Sequence, residues 1–218
     1  MGHIRHNNQQ PISPKPTTHN QQPTTNNQTT KQPNNQNTQN KMYKDIIAQR
    51  VVKYYTANPP TATQIAHTMA VAGYTRLIAS TMGMSQHDCD LHEASAWLHD
   101  IGCPNAIRHY GDSLPAHQQQ EGEHIVNEWM NENNATAFQQ WDIVLNALTA
   151  DEKQWLARVV GSHHQHNSAA ELHFEPLFEA DLIVNIQEGY YGRNQAQHYY
   201  DNLLLTDAGR ELYKAMIL

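Results

Sequence analysis

From Met42 to Leu218 apolar residues recur every three or four positions, and no stretch alternates strictly between apolar and polar side chains. That period belongs to helices whose inner faces pack together and leaves no material for a sheet, so the expected fold class is all-α. Helices are expected near 43–56, 61–82, 86–101, 117–132, 140–148, 151–164, 175–189, 195–204 and 207–217. Local signals agree: Thr149-x-x-Glu152 is a capping box, Gly102 and Pro104 close the third segment, and Thr206 can cap the last. No internal repeat is visible, and residues 42–218 read as a single helical bundle.

Residues 1–41 have a different composition. They are mostly Asn, Gln, Thr and Pro, with Arg5, Lys15, Lys31 and Lys41 as their only charged side chains. A segment with so little to bury cannot offset the entropy of ordering, so it is expected to be a disordered tail. It has no apolar run behind its basic residues, and no other stretch has the length of a membrane span, so the expectation is a cytoplasmic protein without a membrane partner. All 21 acidic residues follow Lys41, with 10 of the 14 basic ones, which leaves the body at net −11 and the tail at +4. So acidic a body is a poor groove for a nucleic-acid polymer. Cys89 and Cys103 are the only cysteines, too few for a disulfide framework.

Four residues break the apolar pattern where polar groups are costly. His67 shares a helix face with Val71 and Tyr74, His99 and Asp100 sit side by side in "SAWLHDIGCP", and Asp181 interrupts "PLFEADLIVNI". Singly, each has an ordinary explanation in a hydrogen-bonded core histidine or a locally paired acid. Together they offer nitrogen and oxygen ligands from three helices, a donor set suited to a first-row divalent metal ion. His163 and His164, at the end of the segment anchored by Trp155, Val159 and Val160, add two more nitrogens.

The order His…His-Asp…Asp resembles the HD-domain metal-dependent phosphohydrolases, across His67 to about Glu188. "HTMAVAGYTRLIA", "LHDIG" and "EADLIVNI" look like the first, second and last motifs of that family. The resemblance implies an HD-type helical bundle, a divalent ion on His67, His99, Asp100 and Asp181, and hydrolysis of a small phosphorylated substrate, a nucleotide or phosphomonoester. Members with two ions carry His-x-x-x-Gly and a His-His pair. His163–His164 matches the pair, whereas the residue four before Gly122 is Gln118, so one ion is favoured and a second would draw on His163, His164 and His124.

A glutamate three residues after the His-Asp pair, used by some one-metal members as a proton relay, is missing. Glu121, His163 and His164 are the candidates for that role beside Asp100. The Gly-Tyr-Pro motif of cyclic-di-GMP phosphodiesterases is also absent. Arg108, in a segment expected to be a loop, is the candidate phosphate clamp, with Gln118 also at the substrate, and Arg76 either faces the pocket or pairs with an acid such as Glu93. His166, His173 and His198 read as surface residues. "GYYGRNQAQHYY" suits a pocket mouth, a homodimer seam or plain packing equally well. The alternative to an enzyme is a regulatory module that binds a nucleotide or metal without hydrolysis.

Overall fold

The computed structural model describes residues 35–59, 62–132, 138 and 140–218, with side chains from Tyr43 onward except Ala62. Among them there is no strand, and the architecture is an all-α bundle: α1 (Asn35–Ala57), α2 (Ala62–Thr81), α3 (Gln86–Leu98), α4 (Cys103–Tyr110), α5 (Pro115–Met130), α6 (Trp141–Ala147), α7 (Ala150–Val160), α8 (His166–Leu172), α9 (Glu175–Glu188), α10 (Ala196–Asn202) and α11 (Asp207–Met216). No described helix is long and apolar enough to cross a membrane. The expected disorder of residues 1–34 lies outside the described residues, and α1 starts at Asn35, inside the segment assigned to the tail.

The helix signals act as expected in α3, α7 and α11. Ser85 accepts from the backbone N–H of Asp88, Thr149 and Glu152 cap each other reciprocally, and Thr206 accepts from the N–H of Gly209. Two short helices were not expected. Gly102 and Pro104 do end the preceding helix, but Pro104 also sits in the first turn of α4, where its missing N–H costs nothing, and Gly111 closes α4 at φ +82°. α8 follows His163–His164 directly and ends at His173 in the left-handed region.

Three apolar clusters fix the helices. Ile47, Val51 and Tyr55 of α1 pack with Leu98, Trp141 and Leu156; Val71 and Ile78 of α2 with Val159, Phe174 and Leu177; and Leu182, Ile183 and Ile186 of α9 with Tyr213 and Ile217. α9 is buried all round from Pro176 to Ile186, so its two acids need dedicated partners. Glu179 finds them at the start of α11, accepting from the N–H groups of Leu205 (2.6 Å) and Thr206 (2.7 Å) and from Thr206 Oγ1 (2.6 Å). Burial pushes the Glu179 carboxyl up against these bonds. This fixes the rotation of α9 and turns Asp181 to another side.

A close backbone approach lies beside the His-Asp pair. A Cβ on Gly102 would stand 2.0 Å from Gln118 O and 2.4 Å from Gly122 N, and one on Gly122 would stand 2.7 Å from Val160 Cγ1. Only glycine admits this contact, which holds the turn carrying His99 and Asp100 against α5.

Candidate metal centre

His67 projects from the second turn of α2, His99 and Asp100 from the turn after α3, His163 and His164 from the turn after α7, and Asp181 from α9. All but His164 are buried. His67 Nε2 lies 3.2 Å from His99 Nε2 and 3.2 Å from Asp181 Oδ1, and Asp100 Oδ2 is 3.6 and 3.5 Å from the two imidazole nitrogens. On the other side Asp100 Oδ1 is 3.4 Å from His163 Nε2, and His164 Nδ1 is 3.7 Å from Asp181 Oδ2. Two overlapping groups thus have ligand geometry: His67, His99 and Asp100, and Asp100, His163 and His164.

The hydrogen bonds behind these atoms decide their chemistry. His99 Nδ1 is 2.7 Å from Ala96 O, His163 Nδ1 is 2.8 Å from Val160 O, and His67 Nδ1 is 3.0 Å from Glu188 Oε2. Those oxygens only accept, so each Nδ1 carries a proton and Nε2 is the ring nitrogen turned inward. Among the described residues Asp100 Oδ1, Asp181 Oδ1 and His163 Nε2 find no hydrogen-bond partner. Lone pairs of two or three imidazoles and two carboxylates converging on one buried point repel unless a cation sits among them.

Protonation of the ion-free site follows the same logic. Burial works against a charged His67, but the carboxylates of Asp181 and Asp100 beside it outweigh that and raise the ring to about 9. His99 moves up for the same reason. Burial opposes ionised Asp100 and Asp181 too, yet the surrounding histidines hold both carboxyls below their usual range. His164 is lowered to about 4 by burial and then by His163. Without an ion, protons supply the positive charge the cluster requires.

Around the cluster runs a cavity of about 250 Å³ whose lining includes Gln64, Asp100, Gln118, Asn185 and Tyr191. Gln64, one turn before His67, donates to Asp100 Oδ2 at 2.6 Å. Gln118 donates to His164 Nε2 and accepts from Cys103 Sγ. The side-chain carbonyl of Gln119 accepts from the backbone N–H of His163 (3.3 Å) and His164 (3.0 Å), which holds that turn in place. Gln64, Gln119 and Glu188 were not singled out from sequence. Gln64 and Glu188 were accessible by register, three residues before His67 and seven after Asp181 on the same helix faces.

Other expected residues lie elsewhere. His124 is exposed and pairs with Glu128 at 3.2 Å, because six residues past Gln118 is about 240° around α5, away from His163 and His164. Arg76 binds Asp90 (2.7 Å) and Glu93 (2.8 Å), the pairing alternative. Arg108 lies on α4 rather than in a loop and donates to Asn105 (3.0 Å) and Asn58 (2.6 Å), and Glu121 meets Asn105 and His109. None of these four lines the cavity. His166, read as a surface residue, instead lies against Phe178 with its Nε2 buried.

Fold and site together define an all-helical protein with a buried His/Asp cluster able to hold a metal ion. No family model, curated protein or solved structure matches the chain.

Proposed function

We propose that the protein is an HD-type metal-dependent phosphohydrolase that cleaves a small phosphate ester. The observation that carries this reading is that His67, His99, Asp100 and Asp181, in the family's order, bring two ring nitrogens and two carboxylate oxygens together in the core, each oxygen 3.2–3.6 Å from both nitrogens. Imidazole nitrogen with carboxylate oxygen suits a first-row divalent ion, and Asp100 Oδ2 and Asp181 Oδ1 are the oxygens on the His67 and His99 side that would supply it. A bound divalent ion supplies Lewis acidity, easing deprotonation of water and polarising a phosphoryl oxygen.

The chain's own groups account for the rest. Asp100 Oδ1 and His163 Nε2, 3.4 Å apart and both unpartnered, form a buried pair that can orient a water and take its proton as its oxygen attacks phosphorus. The ester P–O bond breaks, and the leaving oxygen takes a proton from the solvent side of the cavity. Among the described residues no Lys or Arg lines that cavity, so there phosphoryl charge falls to the ion and to neutral donors such as Gln64, Ser113 and Asn185. This absence also favours a second reading, a module that binds a phosphorylated ligand without hydrolysing it.

Metal content of the purified full chain and of Asp100→Asn, with manganese-dependent phosphate release from a panel of nucleotides and phosphomonoesters, tests the proposal. It predicts about one ion per chain, lost with turnover in the folded variant. No ion after reconstitution, or turnover unchanged in the variant, overturns it. Ion and ligand binding without product favours the non-hydrolytic module.

A further inference from the structure

A second cavity, of about 180 Å³, adjoins the one around the cluster and shares His164, Asp181 and Tyr191 with it as walls. Its remaining lining is Phe178, Leu182, Leu203, Tyr199 and His166, a markedly apolar and aromatic set beside a polar site. Phe178 and Leu182 are almost fully buried yet face open space, which close-packed interiors seldom leave. The walls come from α8, α9, α10 and the segment after α9, so the space is a product of tertiary packing and not of one loose loop.

Two features point to a ligand. Tyr191 and Tyr199 stand with ring centroids 6.1 Å apart, and His166 meets Phe178 edge-on at 5.6 Å, so aromatic surfaces frame the cavity. In the same lining, His166 Nε2 is buried and finds no hydrogen-bond partner among the described residues. A buried nitrogen left unpaired is costly, and a ligand group that completes its hydrogen bond recovers the loss. The size is restrictive as well: a dry cavity of ~150 Å³ takes one benzene ring, so this one takes a single ring and not a ring with a sugar.

We infer that this cavity is the subsite for the alcohol part of the substrate, and that it selects phosphate esters of a compact single-ring alcohol carrying one hydrogen-bonding substituent. The inference rests on the phosphohydrolase reading, since Asp181 and His164 form the shared wall between ring and phosphoryl group. Recognition divides accordingly: the cluster holds the phosphoryl end, while ring burial among Phe178, Leu182, Tyr191 and Leu203 gives the preference.

The test uses the full chain and two binding measurements. With manganese bound, calorimetry compares phenylphosphonate with methylphosphonate; without metal, fluorine NMR follows para-fluorophenol, which reports on the ring cavity alone. The inference predicts phenylphosphonate about 10- to 100-fold tighter than methylphosphonate, and saturable binding of the phenol. Leu203→Trp fills the space and Tyr199→Ala removes a wall, and either folded variant should bring phenylphosphonate down to the methylphosphonate level and abolish phenol binding. Equal affinities for the two phosphonates, or no phenol binding by the wild type, overturn the subsite. Phenol binding with neither phosphonate bound locates the failure in the phosphohydrolase reading, and overturns the cavity's role as a substrate subsite with it.

Discussion

Gln118 donates its side-chain amide to His164 Nε2, which occupies the ring atom that would otherwise be free to bind an ion. The thiol of Cys103 holds the other end of the amide, so Gln118 stands fixed beside His164. Asp100, His163 and His164 already have ligand geometry on that side of the cluster. Gln118→His exchanges a donor for a lone pair beside them. Metal content should rise from about one to about two ions per chain, read by elemental analysis after equilibration with excess manganese. Unchanged stoichiometry in a folded variant would show that the second position is blocked by something other than Gln118.

Gly102 and Gly73 make a matched pair of glycine substitutions with opposite expected signs. A methyl at Gly102 meets Gln118 O at 2.0 Å and Gly122 N at 2.4 Å, both backbone atoms that cannot turn aside. Gly102→Ala should cost about 2–3 kcal/mol and displace the turn that carries Asp100, lowering metal content too. At Gly73, in the middle of α2, a Cβ meets nothing within 4 Å. Gly73→Ala should therefore add about 0.5–1 kcal/mol, through helix propensity alone. Urea denaturation reads both, and a stable Gly102→Ala would mean that α4 and α5 can separate without loss.

The four polar residues at the centre of the cluster were legible because polar side chains at inward positions of an apolar helix pattern stand out: His67 beside Val71, His99 and Asp100 after Leu98, Asp181 within an apolar run. α4 and α8 were not, since eight and seven residues barely complete a hydrophobic period and their limits are set by Pro104, Gly111 and His173. His166 was misread because its sequence neighbours are polar, while its burial comes from Phe178 on α9. Arg108 illustrates the converse: a cation near the His-Asp pair in sequence is drawn to Asn58 and Asn105.

His92 supplies an acid-sensitive element away from the cluster. It is buried, meets Trp155 edge-on at 5.3 Å and leaves Nδ1 unpartnered, and burial lowers its pKa from 6.5 to about 4. The unfolded chain therefore takes up a proton near 6.5 that the folded chain refuses until about 4. Its contribution to stability is complete above 6.5 and is lost as the pH falls from 6.5 toward 4, by about 3 kcal/mol in all. Stability measured by urea from pH 8 to 4 should fall less steeply in His92→Leu than in wild type. Parallel curves would assign the acid loss to other groups.

Glu188 tests the shell behind the ligands without touching the cavity's inner atoms. Its carboxylate, about a third exposed, accepts from His67 Nδ1 at 3.0 Å, fixing the tautomer and aiming Nε2 at His99 and Asp181. A carboxylate behind a ligating imidazole also makes the ring a stronger donor, and losing such a partner typically costs 10- to 100-fold in metal affinity. Glu188→Gln keeps an acceptor at nearly the same place and removes the charge, so the fold should persist while manganese affinity falls about tenfold in a chelator competition. Glu188→Ala, which also frees the ring to rotate, should fall further. The exposed pair His124–Glu128 is the control, because it lies on the outer face of α5, and His124→Ala should leave manganese affinity where it was. Equal losses in Glu188→Gln and His124→Ala would mean that surface charge, and not the orientation of His67, governs ion binding.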